Sequence, residues 1–531
     1  MVSRSPWFRH APWLRHLPAL LVALVAFGAA RVALLPGVAF WDTGELQTAG
    51  PLLGTAHPTG FPTYVLLGWF ASVVLQPFGE PAFRMNLLSA LSLGAAAGLT
   101  VDLVRALTRS TALGVMAGLG LALTPIAWAI GTHADAHALL LVLVVLLLRL
   151  LVAWEARDRW DADGGGPRSR GRDAADFGDR YLVAAAVVLG LALGTHSLVL
   201  LLAPAIGLFI RAVDPTILQR RRLVVSSAAG LVIAVVLVYL ELPLRAGPFR
   251  APLVYGRPET WDGFWYVALG QQFQGSLVDP FGDLPRKLGE LVSLSLEQFG
   301  PLALLLPFGF VATARRRPRY ALLSGVSLGL ICFFAASYEN ADIGRYYLVP
   351  ILIAWTWLAM LARVTVDWAA PTVRGLAALA PGSNWPRAGL SVLAAAVLLA
   401  PTVLLAPARL PAIDESGDRS AADWTDRALG VLQPNAVIVS WWSYSTPLWY
   451  AQLVEGRRPD LKIIDDRTRL DEGLGDLTDV IDANLGRRPV YVIRVDPDEV
   501  ALLAARYRLE PIDGAVGFDL TLVTGRRGAG S

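Results

Sequence analysis

The chain has 531 residues, 55% of them hydrophobic and only 17% charged, with a formal net charge of +3. Soluble domains carry about a quarter charged residues, so this balance and a mean hydropathy of +0.51 exclude an ordinary soluble enzyme and point to a polytopic membrane protein. The small net charge gives no footing for nucleic acid, and the single cysteine, Cys332, excludes a disulfide framework and a cysteine metal site.

Spans are read as runs of about 17 or more apolar residues, and orientation from arginine placement. Arg4, Arg9 and Arg15 put the N-terminus in the cytoplasm. A retained first helix over about 17–35 then leads outward into a polar stretch from Phe40 to Tyr64. Pro62–Phe78 either crosses the bilayer or lies along its outer surface, and the arginines after the span 87–106 favour the flat arrangement. Further spans follow near 112–130, 138–154, 181–194, 197–212, 223–240, 298–313, 320–337, 347–362 and 388–406. That makes about 11 spans plus one juxtamembrane helix, with the basic loops on one side.

The expected fold is therefore an all-α polytopic bundle over residues 1–410. Beyond Pro411 the charge density rises, and apolar runs at Ala436–Ser440, Leu461–Ile464 and Val490–Arg494 read as strands. Helical stretches near 446–454, 474–485 and 497–506 alternate with them or follow. Residues 411–531 thus form a small soluble α/β domain, on the same outer side as the Asp42 loop.

Polar clusters collect at that outer face. They are Asp42/Glu45/His57, His133/Asp135/His137, His196, Glu241 with Arg245, and Asp342 with Arg345. Ionisable side chains beside membrane spans are costly unless they do something. Moving a sugar off a lipid phosphate needs a carboxylate to take the acceptor's proton and cations to stabilise the departing phosphate. Both belong at the membrane boundary, where the lipid tail and a water-borne acceptor meet.

Each cluster also has a plainer reading. Asp42 and Glu45 have the spacing of a helix capping box. His57 suits a turn before Pro58, Glu241 an ion pair with Arg245, and the arginines snorkelling anchors. His133 and His137 stand at i, i+4, as metal ligands on a helix can, but without the H-E-x-x-H pattern. Trp261, Trp265, Tyr266 and Phe273 suit an interfacial belt. Trp441 and Trp442 suit either an acceptor sugar or a contact between domain and membrane region.

Phe40–Leu46 (FWDTGEL) and Ala56–Tyr64 (AHPTGFPTY) resemble the opening motif of a GT-C membrane glycosyltransferase family that includes the vertebrate IPT-domain protein O-mannosyltransferase. Arg84–Ala90, Gly190–His196, Tyr239–Arg245, Tyr255–Pro258, Asp342 and Tyr346–Pro350 extend the resemblance over about residues 30–360. It implies a GT-C bundle with its active site at the extracytoplasmic face of the cell membrane. It also implies a polyprenyl-phosphate sugar donor and Asp42 as catalytic base, with Glu45 as its support or a second base.

On this reading Arg245, Arg345, His57 and His196 hold the donor phosphate, and His133, Asp135, His137, Asp342 and Tyr346 contact substrate. Asp135 stands where the family has Glu, and His137 where it has Tyr. The soluble tail also departs from the family's helical repeats, so the acceptor does not transfer. The expected activity is inverting transfer of a hexose, mannose foremost, to a hydroxyl of a secreted protein or envelope glycan, with no obligatory metal or cofactor. A transporter or flippase is the rival, but it favours ionisable groups at mid-membrane and internal repeats. A non-catalytic assembly protein is the third reading.

Overall fold

The computed structural model describes residues 12–162, 173–376, 385–512 and 520–528. The basic head with Arg4, Arg9 and His10, and the Gly-rich stretch 164–172, lie outside the described residues. Among the described residues, eight helices are long and apolar enough to cross a membrane. Thr111–Ala122 and Ser197–Val213 are shorter apolar helices, as is Pro62–Val74. At 1.5 Å per residue the 13 residues of Pro62–Val74 reach about 20 Å, short of the ~30 Å hydrocarbon core.

Several expected spans are broken for visible reasons. The run 112–130 splits at Thr124-Pro125 into Thr111–Ala122 and Pro125–Ala129, because proline supplies no N–H to continue the helix. The run 298–313 lies inside a longer helical segment, Leu284–Arg316, that changes to a 3-10 turn over Gly300–Leu305 at Gly300, φ +57, and Pro301. The segment between the expected spans 223–240 and 298–313 holds the helices Glu241–Ala246 and Trp261–Ala268. The last helix of the bundle runs from Trp385 to Ile413.

The C-terminal part is a five-stranded sheet, β1 Val437–Ser440, β2 Lys462–Asp465, β3 Val490–Ile493, β4 Tyr507–Pro511 and β5 Leu520–Arg526, in the order β2-β1-β3-β5-β4. β1 pairs in parallel with both β2 and β3, while β5 runs antiparallel to β3 and β4. The three expected strands are present; β4 and β5 were not expected.

The parallel strands are apolar on both faces because both are covered. Val437, Val439, Val490 and Val492 pack with Val480 and Leu503 of the flanking helices. Ile438, Ile463, Tyr491 and Ile493 join the large core that also holds Leu34 and Leu46 of the bundle. The sheet is thus fastened to the membrane region by the alternation of its side chains.

Candidate active site

Helix Trp41–Leu52 carries the first acidic pair. It begins after extended Phe40 and ends at left-handed Leu53, φ +50, with Pro51 in its last turn. Asp42 lies in its first turn, where a carboxylate favours the helix dipole. No side chain caps this helix, so the capping-box spacing of Asp42 and Glu45 serves another end. Glu45 is fully buried and accepts the His57 backbone N–H at 3.0 Å, while its other oxygen pairs with His57 Nδ1.

The helix is held from two sides. Gln47 Nε2 donates to Asn86 Oδ1 at 2.8 Å, and the same oxygen accepts the Ala134 N–H at 2.9 Å. Ser89 Oγ accepts the Asp135 N–H at 3.0 Å. The Arg84–Ala90 stretch therefore couples the first loop to the Asp135 turn. On the other side, a Cβ at Gly44 would stand 2.1 Å from Ala39 O and 2.8 Å from Thr446 Oγ1. Only glycine lets helix Trp442–Trp449 of the C-terminal domain sit this close.

Arg345 is the cationic hub. Its Nη2 donates to Asp42 Oδ2 at 2.9 Å and to Asp342 Oδ2 at 2.8 Å, and Nη1 stands 3.6 Å from Asp135 Oδ2. Asp135 Oδ1 accepts from both the backbone N–H and Nδ1 of His137, at 2.7 and 2.9 Å. An ionised Asp135 requires the proton on Nδ1, and His137 Nε2 is buried and without a partner among the described residues. His196 Nδ1 accepts the Leu198 N–H at 3.0 Å, so its proton sits on Nε2. Rings of His137, His196 and Tyr346 pack together, the first two with centroids 4.7 Å apart.

Burial raises the Asp42 carboxyl, but His57 and Arg345 beside it outweigh burial and hold it below its ordinary range. Burial lowers His57, yet Glu45 and Asp42 together lift it above the ordinary value. Asp135 is held well below the carboxylate range; burial opposes this, and the neighbouring His137 and Arg345 outweigh it. His196 is depressed by burial and by the nearby cations, and stays neutral.

These groups line one cavity of about 800 Å³ between the bundle and the C-terminal domain. Asp42, His57, Asp135, His137, His196, Asp342, Arg345 and Tyr346 all face it. Three candidates do not. Glu45 lies behind His57. Arg245 gives its Nε and Nη2 to the carbonyls of Leu53 and Leu52 at 2.9 and 3.0 Å, which corrects its expected place at the phosphate and leaves Glu241 without the expected ion pair. His133 turns away to Glu415, Nδ1 to Oε2 3.0 Å; this corrects its expected substrate contact.

The sequence reading missed Asp465, Asp466 and Arg467, which line the far wall of the cavity beside Trp441, Trp442 and Tyr255. The signal was there in part: charged residues directly follow an apolar strand, at the end where α/β sheets bind ligands. Burial pushes the Asp465 carboxyl up to about 6. Of the aromatic set, Tyr266 and Phe273 line the cavity while Trp261 is exposed. Among the described residues, no three His, Cys, Asp or Glu side chains are grouped to hold a metal.

Residues 42–216 match the family described as the Protein O-mannosyl-transferase TMEM260 N-terminal domain. The mouse Protein O-mannosyl-transferase TMEM260 is 27% identical over 351 residues, 62% of this chain and 45% of the relative. The chain thus spans under half the length of that relative. In structure it is similar to ArnT from Cupriavidus metallidurans bound to undecaprenyl phosphate, with TM-score 0.54, 17% identity and coverage of 97% of this chain and 98% of that one. It is also similar to the Archaeoglobus fulgidus oligosaccharyltransferase tethered with an acceptor peptide, with TM-score 0.53, 15% identity and coverage of 92% and 70%. The protein is a multi-pass membrane protein that shares its fold with ArnT and the archaeal oligosaccharyltransferase, and its residues 42–216 match the TMEM260 N-terminal-domain family.

Proposed function

We propose that the chain is an inverting glycosyltransferase. It moves a hexose, mannose foremost, from a polyprenyl-phosphate donor to a hydroxyl of a secreted protein or envelope glycan. The reaction takes place at the extracytoplasmic face of the cell membrane, between a catalytic membrane domain (1–410) and an outer domain (411–531). The observation that carries this reading is the Asp42–Arg345 pair, 2.9 Å apart, on the wall of the large cavity. The mouse relative's name supports a mannosyl group and a protein hydroxyl. The undecaprenyl phosphate bound to ArnT supports a lipid phosphate carrier.

In this reading the bond from the sugar's anomeric carbon to the phosphate oxygen breaks as one to the acceptor oxygen forms. Asp42 takes the acceptor's proton, and the phosphate leaves with the bonding electrons. Arg345 and protonated His57 stabilise its growing charge, and His196 offers a neutral N–H. One displacement without a covalent sugar–enzyme intermediate inverts the anomeric centre, by analogy with glycosidases. The chemistry needs no resident metal or cofactor.

Reconstitution in vesicles with radiolabelled polyprenyl-phosphate mannose tests the reading. Transfer of label to a hydroxyl acceptor supports it. Translocation without transfer makes the chain a flippase, and neither outcome leaves an assembly protein.

A further inference from the structure

The carboxyl ends of β1 and β2 lie at the cavity, and one side chain there has no part in the chemistry above. β2 ends at Asp465, which is 1% exposed. Its Oδ1 accepts the Thr468 N–H at 2.7 Å and so caps the helix Asp466–Asp471. Its Oδ2 is buried with no partner among the described residues, although the residue lines the cavity. Neighbouring groups are engaged elsewhere. Asp466 holds Arg494 at 2.6 and 2.9 Å, and Arg467 pairs with Asp471 at 2.8 Å.

Just past the adjacent strand β1, Trp442 Nε1 is likewise buried and unpartnered on the cavity wall. Leaving such groups without hydrogen bonds is costly. Trp442 Nε1 can only donate, and an ionised Asp465 can only accept. A prenyl chain would satisfy neither, and a phosphate would meet Asp465 as a like charge. Hydroxyls both donate and accept, so a polyol satisfies both.

We infer that Asp465 Oδ2 and Trp442 Nε1 form a subsite for the hydroxyls of a sugar ring on the C-terminal-domain wall of the cavity. The subsite rests on the glycosyltransferase reading only for which sugar reaches it. The donor's hexose and an acceptor glycan present the same hydroxyl chemistry.

The test uses the full chain in detergent micelles. Asp465→Asn keeps a good helix cap but replaces the acceptor with an NH₂ donor, and Trp442→Phe keeps a ring but removes the N–H. One arm measures binding of methyl α-D-mannopyranoside by calorimetry; the other measures KM for polyprenyl-phosphate mannose. We expect unchanged melting temperatures, with affinity or KM about tenfold worse in Asp465→Asn and several-fold worse in Trp442→Phe. An effect confined to the glycoside arm assigns the subsite to an acceptor sugar, and one confined to the donor arm assigns it to the donor hexose. Because glycoside binding needs no transfer, it reads the subsite even if no transfer is found. Unchanged values in both variants and both arms leave Asp465 as a helix cap alone and overturn the inference, as does a wild-type chain that binds neither probe.

Discussion

Arg345 Nη2 lies 2.9 Å from Asp42 Oδ2, although 303 positions separate the two residues. The same guanidinium reaches Asp342 and stands beside Asp135. One side chain thereby joins the start of helix Trp41–Leu52, the turn before helix Ala136–Ala162 and the loop after helix Pro318–Ala335.

That geometry depends on a planar fork. Lysine offers a compact charge that cannot address these carboxylates from two nitrogens. Arg345→Lys is expected to lower kcat by about tenfold to hundredfold, the range set by losing one strong preorganised charge contact. Single-turnover transfer in vesicles checks it. Wild-type kcat in the lysine variant would show that charge alone suffices.

The pH dependence follows from the two shifted groups. Asp42 is held below its ordinary value of 3.8, so it remains ionised until the pH falls below that value. His57 is raised above 6.5, so it remains protonated through 6.5 and loses its proton only above it. If transfer needs the Asp42 carboxylate and the His57 cation, kcat, which Asp465 does not enter, is flat between these limits, falls in acid below 3.8, and falls in base above 6.5. His57→Gln should remove the alkaline limb. A limb that survives in this variant belongs to another group.

Arg245 and Arg345 are both arginines beside helix ends, and they should separate cleanly in experiment. Arg245 serves the carbonyls at the end of helix Trp41–Leu52. Arg245→Met is expected to cost about 1–3 kcal/mol of stability through those unpaired carbonyls, while KM for the donor stays near wild type. A large rise in donor KM at unchanged melting temperature would return Arg245 to the phosphate.

The seat of the C-terminal domain can be probed at Gly44. A methyl group there would meet Ala39 O and Thr446 Oγ1 well inside contact distance. Gly44→Ala should destabilise the contact by about 1–3 kcal/mol, lower the melting temperature and speed proteolysis of the C-terminal domain. Unchanged protease resistance would show that the two helices are not tightly seated.

Much of the architecture was legible in the sequence. Apolar run length identified the bundle, and strands β1 to β3 stood out because burial on both faces makes them continuously apolar. β4 and β5 did not stand out, since they carry exposed polar residues such as Glu510. Asp42, Arg345, His57, His137 and His196, which line one cavity, stood out in the sequence because charge beside a membrane span is unusual. Arg245 looked equivalent to Arg345, because sequence shows a charge but not whether backbone carbonyls have already claimed it. Asp465 was hidden for the opposite reason: in a charge-rich soluble segment one more aspartate carries no signal until its oxygen is seen buried and unpaired.

The most direct measurement is transfer from radiolabelled polyprenyl-phosphate mannose by Asp42→Asn, reconstituted in vesicles and shown to be folded by its melting temperature. Asparagine keeps the shape but cannot take the acceptor's proton. We predict a loss of about 10²–10⁴-fold in kcat, the usual worth of a general base, with donor binding retained. Full transfer activity in this variant would contradict the assignment of Asp42 as the base.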